Sequence, residues 1–265
     1  MKTLLVAGFI SLVAILSTSA AANELVNVPL GAASGRGAAS TSSWWMPRDK
    51  ATATVLLISG GGGGMGYDGT QPRSDNFLVR TRELFAAKGL NVAVLGLSSD
   101  MRNLSQSVRS SVDHAQDVLT VVKAIRAISP QPVWLVGTSR GTISAAAAAI
   151  LDQGLTVNGI VLTSGYGPSL LFLRTGLLSQ QGIDAIKVPT LVYHHQNDGC
   201  RVTSASSVSG ITAALTSAPV KKLWLVEGGG PPSGDPCEPR GYHGFVGMEQ
   251  QAIDDITSWI SKPQM

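Results

Sequence analysis

The sequence predicts an α/β fold, in which a mostly parallel β-sheet is covered by helices on both faces. The first observation is that short apolar segments alternate with helix patterns from residue 51 to residue 260. Strands that are apolar along their whole length are typical of a parallel sheet buried on both sides. The second observation is the stretch VWLVGTSRGTISA at residues 133–145, where a buried strand turns sharply into a helix of small residues. Repeated units of this kind build one doubly covered sheet.

The individual elements follow from periodicity and composition. Apolar and β-branched runs predict strands at residues 51–59, 91–97, 157–163, 189–195 and 222–226, a short strand that begins at Val133 and ends before Gly137, and short leading strands at 25–30 and in part of 43–46. Helical spacing of apolar residues predicts helices at residues 74–88, 105–128, 205–216 and 245–260, and a further helix that starts at Ser139 and includes the alanines at 145–149. Residues 168–186 are apolar but irregular, which indicates a wall or lid segment.

Length and composition indicate one globular domain. The chain has 265 residues, of which 44% are hydrophobic and 14% are charged, so a sizeable core is expected. The formal charge of +3 is spread along the chain without a basic block. This distribution argues against a nucleic-acid-binding protein. Because no linker or internal repeat interrupts the pattern, residues 23–265 are expected to form a single domain.

The first 22 residues have the pattern of a secretory signal peptide. Lys2 supplies a positive start, residues 4–16 form a short apolar run, and small residues precede Asn23. We therefore expect cleavage after Ala22 and a mature protein in a bacterial periplasm or in the medium. An uncleaved membrane anchor is the alternative. No later apolar run reaches about 18 residues, so no stable membrane span is predicted.

The motif Gly137-Thr138-Ser139-Arg140-Gly141 marks a candidate nucleophile. A serine at a sharp strand-to-helix turn has a strained backbone, and its hydroxyl is exposed above the sheet. Glycines two positions to either side allow the strand and the helix to approach closely. The positive end of the following helix favours negative charge that forms beside the serine. The motif alone would also fit a plain glycine-rich turn, but the flanking strand and helix favour the nucleophile.

Two further candidate residues follow later strands of the predicted sheet. Asp198 follows the strand at residues 189–195, and His243 lies in the loop after the last strand. The carboxyl ends of parallel strands meet at one edge of the sheet, where sites form in such folds. Ser139, Asp198 and His243 also occur in the chain order of a hydrolase triad. Asp235 and Glu238 compete with Asp198 for the acid role, although their position after the last strand argues against them.

The segments LLISGGGGG, VGTSRG, PTLVYHHQND and GYHGF together resemble those of the α/β-hydrolase family. The resemblance covers residues 51–260, and GYHGF is also similar to dienelactone-hydrolase-like members, whose nucleophile is cysteine. The resemblance implies an α/β-hydrolase fold and a secreted serine esterase that hydrolyses a small carboxylic ester through an acyl-enzyme. Ser139 would be the nucleophile, His243 the base, and Asp198 the acid that orients the histidine.

The oxyanion formed in such a reaction needs at least two N–H donors. The amide of Arg140, directly after the nucleophile, is one candidate. The other should come from the run of five glycines at residues 60–64, at Gly61 or Gly62. Members of the family often have His-Gly at the start of this loop, whereas this chain has Ser59-Gly60. A flexible turn is the alternative for the glycines, and the absence of a following Lys-Ser or Lys-Thr pair argues against a nucleotide-binding loop.

Two histidines at the end of the strand before Asp198 could also line the site. A histidine at a strand end is more often a hydrogen-bonded structural group, and this is the expectation for His194 and His195. No group of His, Cys and Asp residues has the spacing of metal ligands, so neither a metal nor another cofactor is predicted.

Two other functional classes stay open at this point. A serine peptidase or amidase would use the same three residues. A non-catalytic binding protein on the same scaffold is the second alternative, and the presence of all three candidate residues argues against it.

The two cysteines, Cys200 and Cys237, are expected to form a disulfide. In an oxidising compartment a cysteine pair is normally oxidised. Cys200 lies two residues after Asp198 and Cys237 six residues before His243. If Asp198 contacts His243, the two cysteines come within range of each other. Two buried free thiols are the alternative.

Overall fold

The computed structural model describes residues 22–30, 38–166 and 182–265. The predicted signal peptide at residues 1–22 and the irregular segment at 168–186 lie mostly outside these described residues. Among the described residues, no helix combines the length and the apolar character needed to cross a bilayer.

One sheet of eight strands runs through the described part of the chain. The strands are β1 (Glu24–Pro29), β2 (Ser40–Met46), β3 (Thr54–Ile58), β4 (Asn91–Ser98), β5 (Val133–Thr138), β6 (Gly159–Thr163), β7 (Thr190–His195) and β8 (Lys221–Val226). Their order across the sheet is β1-β2-β4-β3-β5-β6-β7-β8. β2 pairs antiparallel with β1 and β4, and all other neighbours are parallel. The mostly parallel sheet is therefore confirmed.

Seven α-helices are present in the described residues. They are α1 (Phe77–Arg80), α2 (Arg82–Ala87), α3 (Gln106–Arg109), α4 (Val112–Ile128), α5 (Gly141–Asp152), α6 (Ser209–Ala214) and α7 (Glu249–Ser261). Short 3₁₀ turns occur at Ile183–Ala185, Ala205–Ser207 and Tyr242–Gly244.

The helices bury both faces of the sheet, as predicted. Leu56 of β3 packs with α4, α5 and α6 on one face, whereas its neighbours Val55 and Leu57 pack with α1, α2 and α7 on the other. Successive residues of a strand point to opposite faces, so a uniformly apolar strand requires two apolar helix layers. Each of these fully buried side chains contributes about 1.5–3 kcal/mol through removal from water. The paired layers fix the strands, and with them the loops at the strand ends.

Two predicted helices are each broken into two shorter ones. The helix predicted at residues 74–88 breaks at Thr81, whose hydroxyl donates to the carbonyl of Phe77 at 2.7 Å. The helix predicted at residues 105–128 breaks at residues 110–111, where the Ser111 hydroxyl accepts from the His114 amide and caps α4. Hydroxyl side chains compete in this way with regular helix bonds, and apolar periodicity alone does not reveal it.

Two later helices are shorter than predicted. The segment 205–216 begins as a 3₁₀ turn, and only Ser209–Ala214 is α-helical. The helix predicted to begin at Phe245 begins at Glu249 instead, because Phe245 and Gly247 adopt left-handed backbone angles. The 3₁₀ turn before Phe245 carries His243, so this local break positions a candidate site residue.

Candidate active site

Ser139 occupies a strained turn between β5 and α5. Its φ angle is +51°, a region that residues with a side chain rarely adopt and that costs on the order of 1–3 kcal/mol. Surrounding hydrogen bonds hold this geometry. The Ser139 amide donates to Thr163 O at 3.0 Å, and Ser139 O accepts from the amide and hydroxyl of Thr142 at 3.0 and 2.6 Å. The helix begins at Gly141 rather than at Ser139 as predicted, so the serine belongs to the turn itself.

The glycines around Ser139 are required by close backbone contacts. A Cβ on Gly137 would lie 2.5 Å from Gly141 O, and a Cβ on Gly141 would lie 2.1 Å from Ile58 O. A Cβ on Gly60 would lie 2.8 Å from the Cβ of Ser139. All three distances are well below van der Waals contact. The glycine spacing in the motif therefore reflects packing of α5 and the glycine loop against β3 and β5.

Asp198 and His243 meet beyond the carboxyl end of the sheet. His243 Nδ1 lies 2.9 Å from Asp198 Oδ2, and both side chains are buried. Asp198 follows β7, and His243 lies in the 3₁₀ turn Tyr242–Gly244. An ionised carboxylate can only accept a hydrogen bond, so Nδ1 carries the proton of the neutral imidazole. The Nε2 atom of the same ring is then left as the proton acceptor.

The surroundings of Asp198 keep its carboxyl group ionised. Burial raises its pKa, but contacts with His194 and His243 and the hydrogen bond from the Cys200 amide outweigh burial and lower the pKa to about 2. The Cys200 amide donates to Oδ1 at 2.9 Å, and the Thr203 hydroxyl donates to Oδ2 at 3.4 Å. Asp198 is therefore a negative charge held in place beside Nδ1 of the His243 ring.

Two neighbours fix the position of His243. Thr203 Oγ1 lies 3.1 Å from Nδ1, on the side of the ring that faces Asp198. The buried Ser164 hydroxyl donates to the His243 carbonyl at 2.8 Å. Gly244 is also required, because a Cβ there would lie 1.9 Å from Pro239 O. Thr203 and Ser164 could not be identified from the sequence, because a single serine or threonine in a loop carries no distinguishing pattern.

Ser139 and His243 line one cavity of about 270 Å³. The glycine run, Ser74 and Asn76 also line this cavity. Ser139 also lines a second cavity of about 650 Å³ together with Arg140. Ser139 thus borders two cavities, and His243 lines the smaller one with it.

The predicted oxyanion donors surround the same space. Gly61 and Gly62 line both cavities, and Arg140 lines the larger one. Within the described residues, no hydrogen bond uses the amide N–H groups of Gly61, Gly62 or Arg140. The carbonyl groups of the loop are used instead: Gly62 O accepts from the Leu104 amide at 2.7 Å. The loop therefore leaves its donors free beside Ser139.

Ser59, which stands where the resembled family often has histidine, closes the glycine loop. Its hydroxyl donates to Gly64 O at 2.6 Å. This bond joins the two ends of the run and stabilises a turn in which Gly61, Gly63 and Gly64 have positive φ angles. The glycine loop is therefore a defined turn that is held by hydrogen bonds, and the flexible-turn alternative does not describe it.

Of the two histidines before Asp198, His195 is the hydrogen-bonded structural group that the sequence predicts, whereas the ring nitrogens of His194 form no hydrogen bond. His195 Nδ1 accepts from the Asn197 amide at 3.0 Å, so its Nε2 carries the proton and donates to Gly228 O at 2.9 Å. Its ring also stacks on Tyr242 at 4.5 Å between centroids. His194 is fully buried, and its Nε2 lies 3.2 Å from Asp198 Oδ2 without the angles of a hydrogen bond. His194 therefore lies beside the Asp198 carboxylate, and His195 packs against the turn that carries His243.

The predicted disulfide between Cys200 and Cys237 is present, with Cα atoms 4.5 Å apart. It ties the loop that carries Asp198 to the loop that leads to His243. The competing acid Asp235 is exposed and accepts from the Cys237 amide at 2.8 Å. Glu238 is exposed as well. Neither carboxylate is bonded to His243, so the contact selects Asp198.

Comparison with known proteins shows likeness in structure rather than in sequence. No protein-family model matches the chain, and no curated protein matches it. An α/β serine hydrolase homologue from Coxiella burnetii is 14% identical, with a TM-score of 0.57 over 90% of this chain and 98% of that one. A serine hydrolase without a lid from Xanthomonas campestris is 14% identical, with a TM-score of 0.56 over 88% and 94%.

A third solved structure, the esterase domain of a Rhodothermus marinus protein, is 9% identical. Its TM-score is 0.60, over 90% of this chain and 97% of that one. These likenesses extend over nearly the whole length of both partners. They show that the chain has the α/β-hydrolase fold.

Proposed function

We propose that this chain, with its α/β-hydrolase fold, is a serine hydrolase that cleaves small carboxylic esters through an acyl-enzyme. One observation carries the proposal: Ser139, in a strained turn, lines the same cavity as His243, whose Nδ1 is bonded to the buried Asp198. A serine hydroxyl is a weak nucleophile until a base removes its proton. The free Nε2 of His243 supplies that base.

In the first step, Ser139 Oγ attacks the carbonyl carbon of the ester while His243 Nε2 accepts the hydroxyl proton. The imidazolium that forms is stabilised by Asp198, whose carboxylate stays ionised and keeps the ring oriented. The carbonyl oxygen becomes an oxyanion. The free amides of Arg140 and of Gly61 or Gly62 are placed to bind it, because they border the cavities that Ser139 lines.

In the second step, the tetrahedral intermediate collapses and the bond to the alcohol oxygen breaks. His243 gives its proton to that oxygen, and the alcohol leaves with the acyl group bound to Ser139 Oγ. Water then attacks the acyl carbon, and its proton passes to His243 Nε2. Collapse of the second intermediate returns the proton to Ser139 and releases the carboxylic acid.

The comparisons support this class of reaction, since similar folds include proteins described as serine hydrolases and an esterase domain. The disulfide supports a location outside the cytoplasm, because such bonds persist in oxidising compartments. Together with the N-terminal sequence pattern, it favours a secreted or periplasmic hydrolase.

The test is covalent labelling of the purified protein with a fluorophosphonate probe, followed by turnover of p-nitrophenyl esters and aminoacyl anilides. We expect labelling at Ser139 and hydrolysis of the esters. Ser139→Ala should abolish both without changing the melting temperature. Ser261→Ala, at an exposed serine that ends α7, is the matched control and should behave like the wild type.

Two outcomes would overturn the proposal in different ways. Undiminished labelling of a folded Ser139→Ala protein would remove the nucleophile assignment. Cleavage of anilides in preference to esters would instead assign a peptidase or amidase. A folded wild-type protein that neither reacts with the probe nor turns over any substrate would point to a binding protein.

A further inference from the structure

Arg109, the last residue of α3, carries a positive charge into the interior of the protein. Its side chain is completely buried, with 0% of its surface exposed. Among the described residues, no carboxylate forms an ion pair with it. Arginine is almost never fully buried without a partner, because desolvation of a charge costs several kcal/mol. A buried guanidinium without a counter-ion therefore requires an explanation.

The guanidinium is bound by carbonyl oxygens of the glycine loop. Nη2 donates to Gly60 O at 3.4 Å and to Gly61 O at 3.3 Å. Nε donates to Leu104 O at 3.4 Å, and Nη1 donates to the Ser144 hydroxyl at 3.0 Å. Four oxygens thus share the charge, and two of them belong to the loop that borders Ser139.

The close fit between the loop and Arg109 extends to Gly63. A Cβ on Gly63 would lie 3.2 Å from Arg109 Nη2 and 2.9 Å from Leu104 Cδ1. A side chain at this position would press on the guanidinium, so the loop and the arginine fit only because residue 63 is a glycine. The glycine run is therefore shaped around Arg109 on its inner side.

Peptide geometry links the two sides of the loop. The peptide bonds that join Gly60 to Gly61 and Gly61 to Gly62 are trans, so the C=O and N–H of each point in opposite directions. The carbonyls of Gly60 and Gly61 are directed at Arg109. The amides of Gly61 and Gly62 consequently point away from it, and both residues line the cavities that contain Ser139.

We propose that Arg109 is a positioning residue that holds the amides of Gly61 and Gly62 toward the oxyanion of the reaction. The inference rests on the proposed serine hydrolase function. The guanidinium clamps the two carbonyls on the buried side, which fixes both peptide planes before substrate binds. A hydrogen bond to a charged donor also polarises the peptide, so the amide at its other end becomes a stronger donor.

The electrostatic surroundings agree with this role. Burial lowers the pKa of Arg109 to about 10, and the positive charge of Arg140 acts in the same direction. The group nevertheless stays charged at neutral pH. An uncompensated cation beneath the loop favours negative charge on the opposite side, and such charge forms there only during the reaction. The arrangement therefore favours the transition state over the bound ester.

The experiment compares Arg109→Lys and Arg109→Met with the wild type, with active sites counted by complete fluorophosphonate labelling so that misfolded protein does not contribute. We expect kcat per active site to fall about 10-fold for Arg109→Lys and about 100-fold for Arg109→Met. Neither loss exceeds the fall in kcat that follows removal of a whole oxyanion-hole donor. KM should change less than about 3-fold, because the ester itself does not need the aligned amides.

A second readout separates positioning from general damage. Affinity for a trifluoromethyl ketone, which forms an oxyanion adduct with Ser139, should fall in parallel with kcat, and added guanidinium should restore part of the activity of Arg109→Ala. Arg126→Met is the matched control, since Arg126 is exposed and binds Thr156 O on another loop. It should retain wild-type kinetics.

The inference is overturned if Arg109→Lys or Arg109→Met keeps wild-type kcat per active site. It is also overturned if kcat falls while affinity for the trifluoromethyl ketone is unchanged. Failure of the wild type itself to react with the fluorophosphonate would contradict the proposed function, so the two failures are distinguishable.

Discussion

Asp198 Oδ2 and His243 Nδ1 lie 2.9 Å apart, although 45 positions separate the two residues along the chain. The contact exists because β7 and β8 are parallel neighbours, so the loops that leave them meet at one edge of the sheet. The Cys200–Cys237 disulfide joins the same two loops.

The acid role of Asp198 can be tested by mutation. We expect His243→Ala to lower kcat about 10³-fold or more, and Asp198→Asn to lower it somewhat less, because the asparagine mainly disturbs the orientation and tautomer of the ring. Asp235→Asn is the control and should leave ester turnover unchanged, since Asp235 is exposed and bonded to the Cys237 amide. A loss with Asp235→Asn and near-normal turnover with Asp198→Asn would transfer the role.

Asp198 should also make stability depend on pH in the acid range. Its pKa in the folded protein is about 2, below the ordinary 3.8, so the folded state binds the proton more weakly than the unfolded state. Ionised Asp198 therefore adds on the order of 2 kcal/mol to the free energy of unfolding. This contribution is complete above pH 3.8 and is lost as the pH falls through about 2. Urea unfolding of wild type and Asp198→Asn between pH 2 and pH 6 measures it. A pH dependence that is equal in both proteins would contradict the prediction.

The disulfide should stabilise the fold and the site together. It closes a span of 37 residues, which by chain entropy corresponds to about 3–4 kcal/mol and a melting temperature about 10 °C higher. The Cys200→Ser, Cys237→Ser double variant should therefore melt earlier. It should also have a lower kcat, because the loops that carry Asp198 and His243 are no longer joined. Peptide mapping of the non-reduced protein is the direct check, and two alkylatable thiols with full activity would refute the prediction.

The glycine after the nucleophile turn should tolerate no side chain. In Gly141→Ala the new Cβ would lie 2.1 Å from Ile58 O, so β3 and α5 must separate at a cost of about 3 kcal/mol or more. Gly199→Ala is the control for stability, since its Cβ would meet Pro236 Cβ at 3.4 Å, an ordinary contact. Thermal unfolding of the two variants compares them. Equal melting temperatures would show that the close packing at Gly141 is not required.

Much of the fold could be predicted from the sequence because its determinants are local. Uniformly apolar segments predict strands buried on both faces, and the five central strands, β3 to β7, lie where these segments occur. The helix boundaries were predicted less well. Thr81 and Ser111 break two helices with hydroxyl bonds to the backbone, and these bonds depend on side-chain geometry that apolar spacing does not encode.

The sequence by itself determined the strained turn at Ser139, because the motif, the strand before it and the helix after it are contiguous. It determined which acids and histidines were candidates, but only the tertiary structure decided that Asp198, and not Asp235, contacts His243. The tertiary structure alone also placed Arg109 beneath Gly60 and Gly61. The physical reason is the same in both cases: the partners lie far apart in the chain, and strand order and packing bring them together.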